Sequence, residues 1–408
     1  MPPGSAAAPT CSVTRASLPA AAIIETGYPF LYGALVTASR SAVLRAIDAP
    51  YSIETLELAG PGPGEALVRV VAAGHCHTDL FGRSGLLGDA FLPAVLGHEG
   101  AGVVEATGPG VTAVAPGDHV VLSFDTCGAC AACRSGAPTD CADFEARNLG
   151  GRTPDGGTSA RDASGAPVAN RWFGQSSFAE YALAAERGMV KVDRDLPLEL
   201  LGPLGCGVQT GAGAVLNQMR LAPGQSLAVF GAGAVGLSAV MAARAAGAGD
   251  IVAVDLNPAR LELAARLGAT RVVDGAAPDV LAQAAGPSGG VDFSLDTTGA
   301  AAVMANAVNV LRRPGACVLV GAGLDALTVH PQALAGKTVT YGYEGRSVPQ
   351  VFVPRLIGLW RRGAFPFDEL VTTYPFEAID RAEADALAGT AVKPVLLMPP
   401  AREGDRDR

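Results

Sequence analysis

Two textures of apolar and polar positions divide the chain. Over residues 41–205 the apolar runs are short, at 41–47, 52–58, 66–73, 102–106 and 118–122, and clusters such as Gly60-Pro61-Gly62-Pro63-Gly64 separate them. Alternation of this kind, bounded by Gly and Pro, predicts strands joined by turns. The texture changes near Gly207. From Ser226 onward, short apolar runs at 226–230, 251–255, 271–273, 291–295, 316–320 and 338–343 alternate with helical stretches at 234–246, 258–267, 278–285 and 300–311. Repeated strand–helix units predict an α/β region with a doubly wound parallel sheet. The tail, 344–408, returns to mixed character with a helix over 349–362, and the Gly-, Asp- and Arg-rich segment 146–171 predicts a long surface loop. The expected organisation is a strand-rich domain of 41–207 and 344–408 with the parallel-sheet domain, 208–343, inserted into it.

Composition narrows the partners. Hydrophobic residues make up 49% of the 408 positions and charged residues 17%, enough for a large core. The net charge is −9 with no Lys/Arg run, which argues against nucleic acid. No apolar stretch reaches the ~18 residues that span a bilayer. The first forty residues are rich in Ala, Pro, Ser and Thr and hold one carboxylate, Glu25. A secretory signal needs a basic stretch before its apolar core, and only Arg15 precedes 20–24. A transit peptide fits the scarcity of acids, but only Arg15 and Arg40 supply positive charge. The preferred reading is a weakly ordered extension, 1–40, after an upstream misread start, on a cytoplasmic protein.

Candidate chemistry begins with cysteine. Of 8 cysteines, Cys127, Cys130, Cys133 and Cys141 lie in one run spaced C-x2-C-x2-C-x7-C. Thiolates so spaced can converge on one tetrahedral Zn²⁺, and four sulfurs leave no open position, so this metal would be structural. Disulfides or an iron–sulfur cluster are the alternatives; the intracellular character of the rest of the chain favours zinc. A nucleotide site is also legible. Gly231, Gly233 and Gly236 form G-x-G-x-x-G, with Val235 between the last two, directly after the run 226–230 and at the start of a helical stretch. In that context the glycines permit a tight turn, close approach of a pyrophosphate and close helix–strand packing. The helix N-terminus offers N–H groups to phosphate. Asp255 ends the next strand; a carboxylate there accepts ribose hydroxyls and repels a 2′-phosphate, favouring NAD over NADP.

Cys76, His98 and Cys206 are far apart, but each sits in a distinctive setting: Gly-His-Cys-His-Thr-Asp at 74–79, Gly-His-Glu-Gly-Ala-Gly at 97–102, and Gly-Pro-Leu-Gly-Cys-Gly at 202–207. At these residues the chain resembles the zinc-dependent medium-chain alcohol dehydrogenases. The resemblance spans roughly 41–400, with G-H-E-x-x-G, the later Gly108, the four-cysteine run and the glycine fingerprint in the family's order. Phe-Gly-Gln-Ser-Ser-Phe at 173–178 and the stretch 201–207 resemble the aryl-alcohol (benzyl-alcohol) branch most. The resemblance implies a Rossmann domain plus a GroES-like catalytic domain, two Zn²⁺ per chain, and a site in the cleft between domains. Cys76, His98 and Cys206 would hold the catalytic zinc, with Asp79 and Glu99 behind them. It implies reversible hydride transfer from a primary alcohol to NAD, giving aldehyde and NADH. Thr78 would take the alcohol proton, and His77 would touch the cofactor pyrophosphate. A homodimer formed through the cofactor domain is expected, with a tetramer as the alternative.

Two positions depart from the family pattern. Phe81 stands where the best-known members carry a histidine that passes the proton to solvent, and His75 replaces a small apolar residue. Glutathione-dependent formaldehyde dehydrogenases are the nearest rival. They carry an arginine four residues after the last cysteine of the run, where this chain has Glu145, so an uncharged aryl or allylic alcohol is favoured, with Phe124 and Phe173 as candidate pocket walls. A non-catalytic, cofactor-binding member of the fold is the remaining alternative.

Overall fold

A computed structural model describes residues 36–400 other than Leu87 and Leu324. Strands Arg271–Asp274, Asp250–Asp255, Ser226–Phe230, Val291–Asp296, Leu311–Leu319 and Lys337–Tyr341 lie side by side in that order, all parallel. Successive side chains of a strand point to opposite faces. Leu227, Val229, Ile251 and Ala253 therefore pack with Leu237, Val240 and Leu263 from helices Ala234–Ala245 and Pro258–Leu267. Ala228, Phe230, Val252 and Val254 pack the other way, against Ala284, Met304 and Val308 from helices Val280–Ala285 and Ala301–Asn309. Burial on both faces is why these strands read as unbroken apolar runs. The order reverses between Ser226–Phe230 and Val291–Asp296, and that reversal opens a crevice at the carboxyl ends of the strands.

Two further sheets share one core. Ala94–Val95, Thr37–Leu44, Ser52–Leu58, Ala160–Arg161 and Pro167–Val168 form the first. Met189–Val192, His119–Leu122, Glu99–Thr107, Glu65–Gly74, Lys393–Leu397 and Val371–Pro375 form the second, with Tyr181–Ala185 also paired to Glu65–Gly74. The C-terminal strand Lys393–Leu397 runs antiparallel to Glu65–Gly74, with Val395 opposite Gly74. That register brings Lys393 to the end of the strand from which residues 75–79 emerge.

Three expectations change. Most of the predicted extension 1–40 lies outside the described residues, but 37–40 belong to the strand Thr37–Leu44, pairing with residues 55–58. Polarity there does not mean exposure, since Ser39 is buried and meets Ser41. The segment 146–171 is not a plain loop: it holds the end of helix Phe144–Asn148 and two short strands that extend the first sheet at Ser52–Leu58. The strand expected over 316–320 begins at Leu311, where Arg312, Arg313 and Pro314 break the apolar run. Among the described residues no helix is long and apolar enough to cross a membrane.

Candidate active site

The strand Glu65–Gly74 ends one residue before His75, and Cys76 caps the short helix His77–Arg83. Cys76 is extended, and its N–H donates to Asp79 Oδ2 at 3.0 Å, so the helix's own third residue ties down its first turn. Asp79 Oδ1 then accepts three more hydrogen bonds: from Gly97 N at 3.1 Å, His98 Nδ1 at 2.8 Å and Trp172 Nε1 at 2.9 Å. Gly97 has φ 88°, and a Cβ there would lie 2.6 Å from Phe178 N, so only glycine allows the turn that delivers His98. Cys206 arrives from a third direction, capping helix Gly207–Gly213.

The structure brings these three together: one ligand atom from each of Cys76, His98 and Cys206 lies within 4.8 Å of the others. With Nδ1 committed to Asp79, His98 presents Nε2, which is buried and has no hydrogen-bond partner. Contact with Cys206 draws the Cys76 thiol well below the usual thiol range, and contact with Cys76 pushes Cys206 up. Two sulfurs and an imidazole nitrogen oriented by a carboxylate form a donor set that fits zinc with one position open.

Glu99 lies behind this cluster. Its Oε1 accepts from Lys393 Nζ at 2.8 Å and from Gly207 N at 3.0 Å, with both ionic side chains buried. The segment 172–175 wraps His98: the Phe173 ring stacks on its imidazole at 4.4 Å, and Gln175 Nε2 donates to its carbonyl at 3.0 Å. Phe173 holds φ 50°, a left-handed conformation unfavourable for an aromatic residue and one that the surrounding contacts must sustain. Thr78 Oγ1 lies 3.8 Å from Cys76 Sγ, and exposed His77 packs edge-on against Phe81 at 5.8 Å. Phe124 is core, packed on Phe144, and Glu145 is exposed on the following helix. Sequence reasoning does not single out Trp172, Gln175, Lys393 or Glu344. Glu344 is buried, accepts from Gln209 Nε2 at 3.0 Å, and burial pushes its carboxyl up to about 7.

The four-cysteine run closes on itself, with its sulfurs also within 4.8 Å of one another and in no disulfide. Backbone N–H groups point at the sulfurs: Ala129 and Cys130 at Cys127 Sγ, 3.4 and 3.2 Å, and Cys127 at Cys141 Sγ, 3.3 Å. Donation from Cys133 N–H chiefly holds the Cys130 thiol down to about 6. Such donors stabilise thiolates and suit a closed metal site.

At the crevice of the parallel sheet, Gly231 has φ 94°, and a Cβ on Gly236 would lie 1.8 Å from Gly231 O. A Cβ on Gly233 would meet only Arg260 Nη1, at 3.5 Å, so the backbone is approachable there. Val235 sits in the first turn of helix Ala234–Ala245. Asp255 Oδ2 accepts from Ala232 N at 2.6 Å and its Oδ1 from Asn257 N at 2.8 Å, which ties the carboxylate to the glycine turn. Arg260, which no sequence motif marks, donates to Ala232 O at 3.4 Å.

Residues 62–194 match the alcohol dehydrogenase GroES-like domain, and residues 234–352 match the zinc-binding dehydrogenase domain. The chain is 45% identical over 365 residues to a geraniol dehydrogenase of Castellaniella defragrans, covering 88% of this chain and 97% of that one. It belongs to the zinc-dependent medium-chain alcohol dehydrogenases. Solved structures of this family agree. An alcohol dehydrogenase zinc-binding domain protein from Burkholderia ambifaria superposes with a TM-score of 0.87 at 50% identity, over 90% of this chain and all of that one. The benzyl alcohol dehydrogenase of Acinetobacter calcoaceticus gives 0.84 at 42% identity, over 89% and 100%. As a member of this family the protein is an oxidoreductase that uses zinc and a nicotinamide cofactor.

Proposed function

We propose that the protein oxidises uncharged primary alcohols, aryl or allylic, to aldehydes with NAD, and reduces them in reverse. The observation that carries this reading is the meeting of Cys76, His98 and Cys206 with Nε2 of His98 left unpartnered. The similarity to a geraniol and a benzyl alcohol dehydrogenase supports the alcohol class.

Bound zinc supplies a Lewis acid for the alcohol oxygen, and bound NAD the hydride acceptor. Cys76, His98 and Cys206 would hold the metal; Asp79 and Trp172 keep the imidazole turned toward it. Thr78 takes the alcohol proton at Oγ1 and releases its own, since a hydroxyl donates and accepts at once. His77, exposed beside Phe81, carries the proton onward or meets the pyrophosphate. Phe173 offers an apolar ring beside His98 for an aryl or allylic group. Glu145 disfavours a glutathione carboxylate, which argues against the formaldehyde dehydrogenase reading. Gly231, Gly233, Val235 and Gly236 seat the pyrophosphate, and Asp255 the adenosine ribose, so NAD is preferred to NADP. Lys337–Tyr341 forms one edge of the parallel sheet and leaves Tyr341 50% exposed, which supports a homodimer built through that edge.

A panel of benzyl alcohol, geraniol, ethanol and S-hydroxymethylglutathione, each with NAD and NADP, tests the reading. Benzyl alcohol or geraniol with NAD should be turned over fastest. Faster oxidation of the glutathione adduct, or no oxidation of any alcohol by zinc-replete protein, would refute it.

A further inference from the structure

His75, the imidazole in an apolar residue's place, has no part in the chemistry above. Its side chain is 1% exposed. Nε2 donates to Glu383 Oε2 at 3.0 Å, and the ring stacks on Phe178 at 5.7 Å. Glu383 lies on the helix Ile379–Leu387 and is itself buried. Its second oxygen, Oε1, accepts from Nη1 of Arg83, the last residue of helix His77–Arg83. Arg83 also reaches Asp380 Oδ1 at 3.2 Å, on the same C-terminal helix, and its guanidinium lies over the Tyr51 ring at 5.0 Å. The His75 carbonyl accepts from Lys393 Nζ at 3.1 Å.

One buried carboxylate therefore grips both ends of a single short element. Between its two anchor points lie Cys76, His77, Thr78 and Asp79. The helix has 7 residues, well under the roughly 12–15 at which a helix begins to hold its own shape in water, so its pose is set by tertiary contacts: those of Asp79 in its first turn and those that hold its ends. A buried ionic group adds little stability over a well-packed apolar one. What it adds is direction: Oε2 fixes where the chain leaves the strand, and Oε1 fixes where the helix stops.

We propose that Glu383 is a positioning residue for the reaction, acting through His75 and Arg83 to set the depth and pitch of helix His77–Arg83 and so the placement of Thr78. The kinetic part of this proposal rests on the function proposed above; the structural part does not. Displacement of a reacting group by about 1 Å can cost on the order of 10²-fold in rate, so a loosened helix should be felt in kcat.

The test compares Glu383→Gln, Glu383→Ala and the apolar pair His75→Leu/Glu383→Leu, all zinc-loaded and full length. Gln keeps an acceptor for Arg83 and a polar partner for His75. It should stay within about threefold of the parent in kcat for benzyl alcohol, because both anchors survive. Ala should lower kcat about 10- to 100-fold at nearly constant KM and raise the primary isotope effect with dideuterated benzyl alcohol, as hydride transfer becomes limiting. Amides of residues 77–83 should exchange with deuterium roughly tenfold faster. If Ala does not fold, the Leu pair fills the space without polar atoms and should show the same drop in kcat, rise in isotope effect and faster exchange. Parental kcat, isotope effect and exchange in Ala or in the pair would overturn the proposal. Should the parent oxidise no alcohol, the proposed function fails, and exchange over 77–83 decides alone: faster supports positioning by Glu383, unchanged overturns it.

Discussion

Replacing Lys393 with methionine isolates a buried ion pair beside the site. Lys393 Nζ and Glu99 Oε1 are 2.8 Å apart, and their side chains are 3% and 0% exposed. At an effective dielectric constant of 20, charges at that distance attract by about 6 kcal/mol. Methionine is close to lysine in length and volume, so the cavity contribution is small. Removing the ammonium also removes the cost of having desolvated it, which returns part of the attraction. The Glu99 carboxylate then stays buried with Gly207 N–H as its remaining partner on Oε1 and with Oε2 unbonded. Breaking one side of such a pair destabilises by about 3–5 kcal/mol. In a chain of 408 residues each kcal/mol moves Tm by about 1.2 °C, so Lys393→Met should melt roughly 4–6 °C lower at fixed zinc. Glu99→Gln leaves the Lys393 ammonium as the buried charge, but an amide oxygen and the His75 carbonyl remain as its acceptors, so this variant should cost less. The double variant should recover more than half of the loss, since no uncompensated charge remains. Scanning fluorimetry on the four proteins reads all of this. A Lys393→Met protein within 2 °C of the parent, or a double variant no better than the single, would show that the pair is not desolvated in the way described.

Other outcomes follow from the same geometry. Cys130→Ser should reduce zinc from two ions per chain to one by elemental analysis, while Cys206→Ser should remove the other ion and all activity; two ions retained in either would contradict the donor sets. Trp172→Phe deletes one of three donors on Asp79 Oδ1, worth about 1.5–3 kcal/mol for a charged acceptor, and should speed zinc release to a chelator about tenfold or more. Unchanged release would remove Trp172 from the support of His98. Phe81→His places a titratable ring one turn beyond His77 and should raise turnover at low pH if proton exit is slow there; an unaltered pH–rate profile would count against that route.

The parts of this molecule that can be read in advance are those with a local cause. Strands buried on both faces must be apolar throughout, and a glycine at φ 94° followed by a helix is a local constraint, so the parallel sheet and the turn at Gly231 are visible in the sequence itself. Segment 37–40 escapes such a reading because buried Ser39 finds its partner in Ser41 inside the sheet, and polarity there does not mean exposure. Cys76, His98 and Cys206 come from three separate elements, so spacing alone cannot join them; their local motifs do.

What stays hidden is the layer that orients those donors, and it has a common physical signature. Trp172, Gln175, Glu383 and Lys393 are polar groups buried at long sequence separation from their partners Asp79, His98, His75 and Glu99. A buried polar atom must find a partner, but nothing local says which. The clue in the sequence is the anomaly itself: a lysine opening the apolar strand Lys393–Leu397, and an imidazole at 75 ahead of a cysteine. Each out-of-place polar residue points to a complementary one elsewhere, and here both lead to the same place. Lys393 holds the residue after His98, and also the carbonyl of His75, whose ring Glu383 grips. The C-terminal helix and strand are thus joined to both halves of the donor cluster by hydrogen bonds to buried groups, which makes the tail of the chain part of the site's geometry rather than a cover over it.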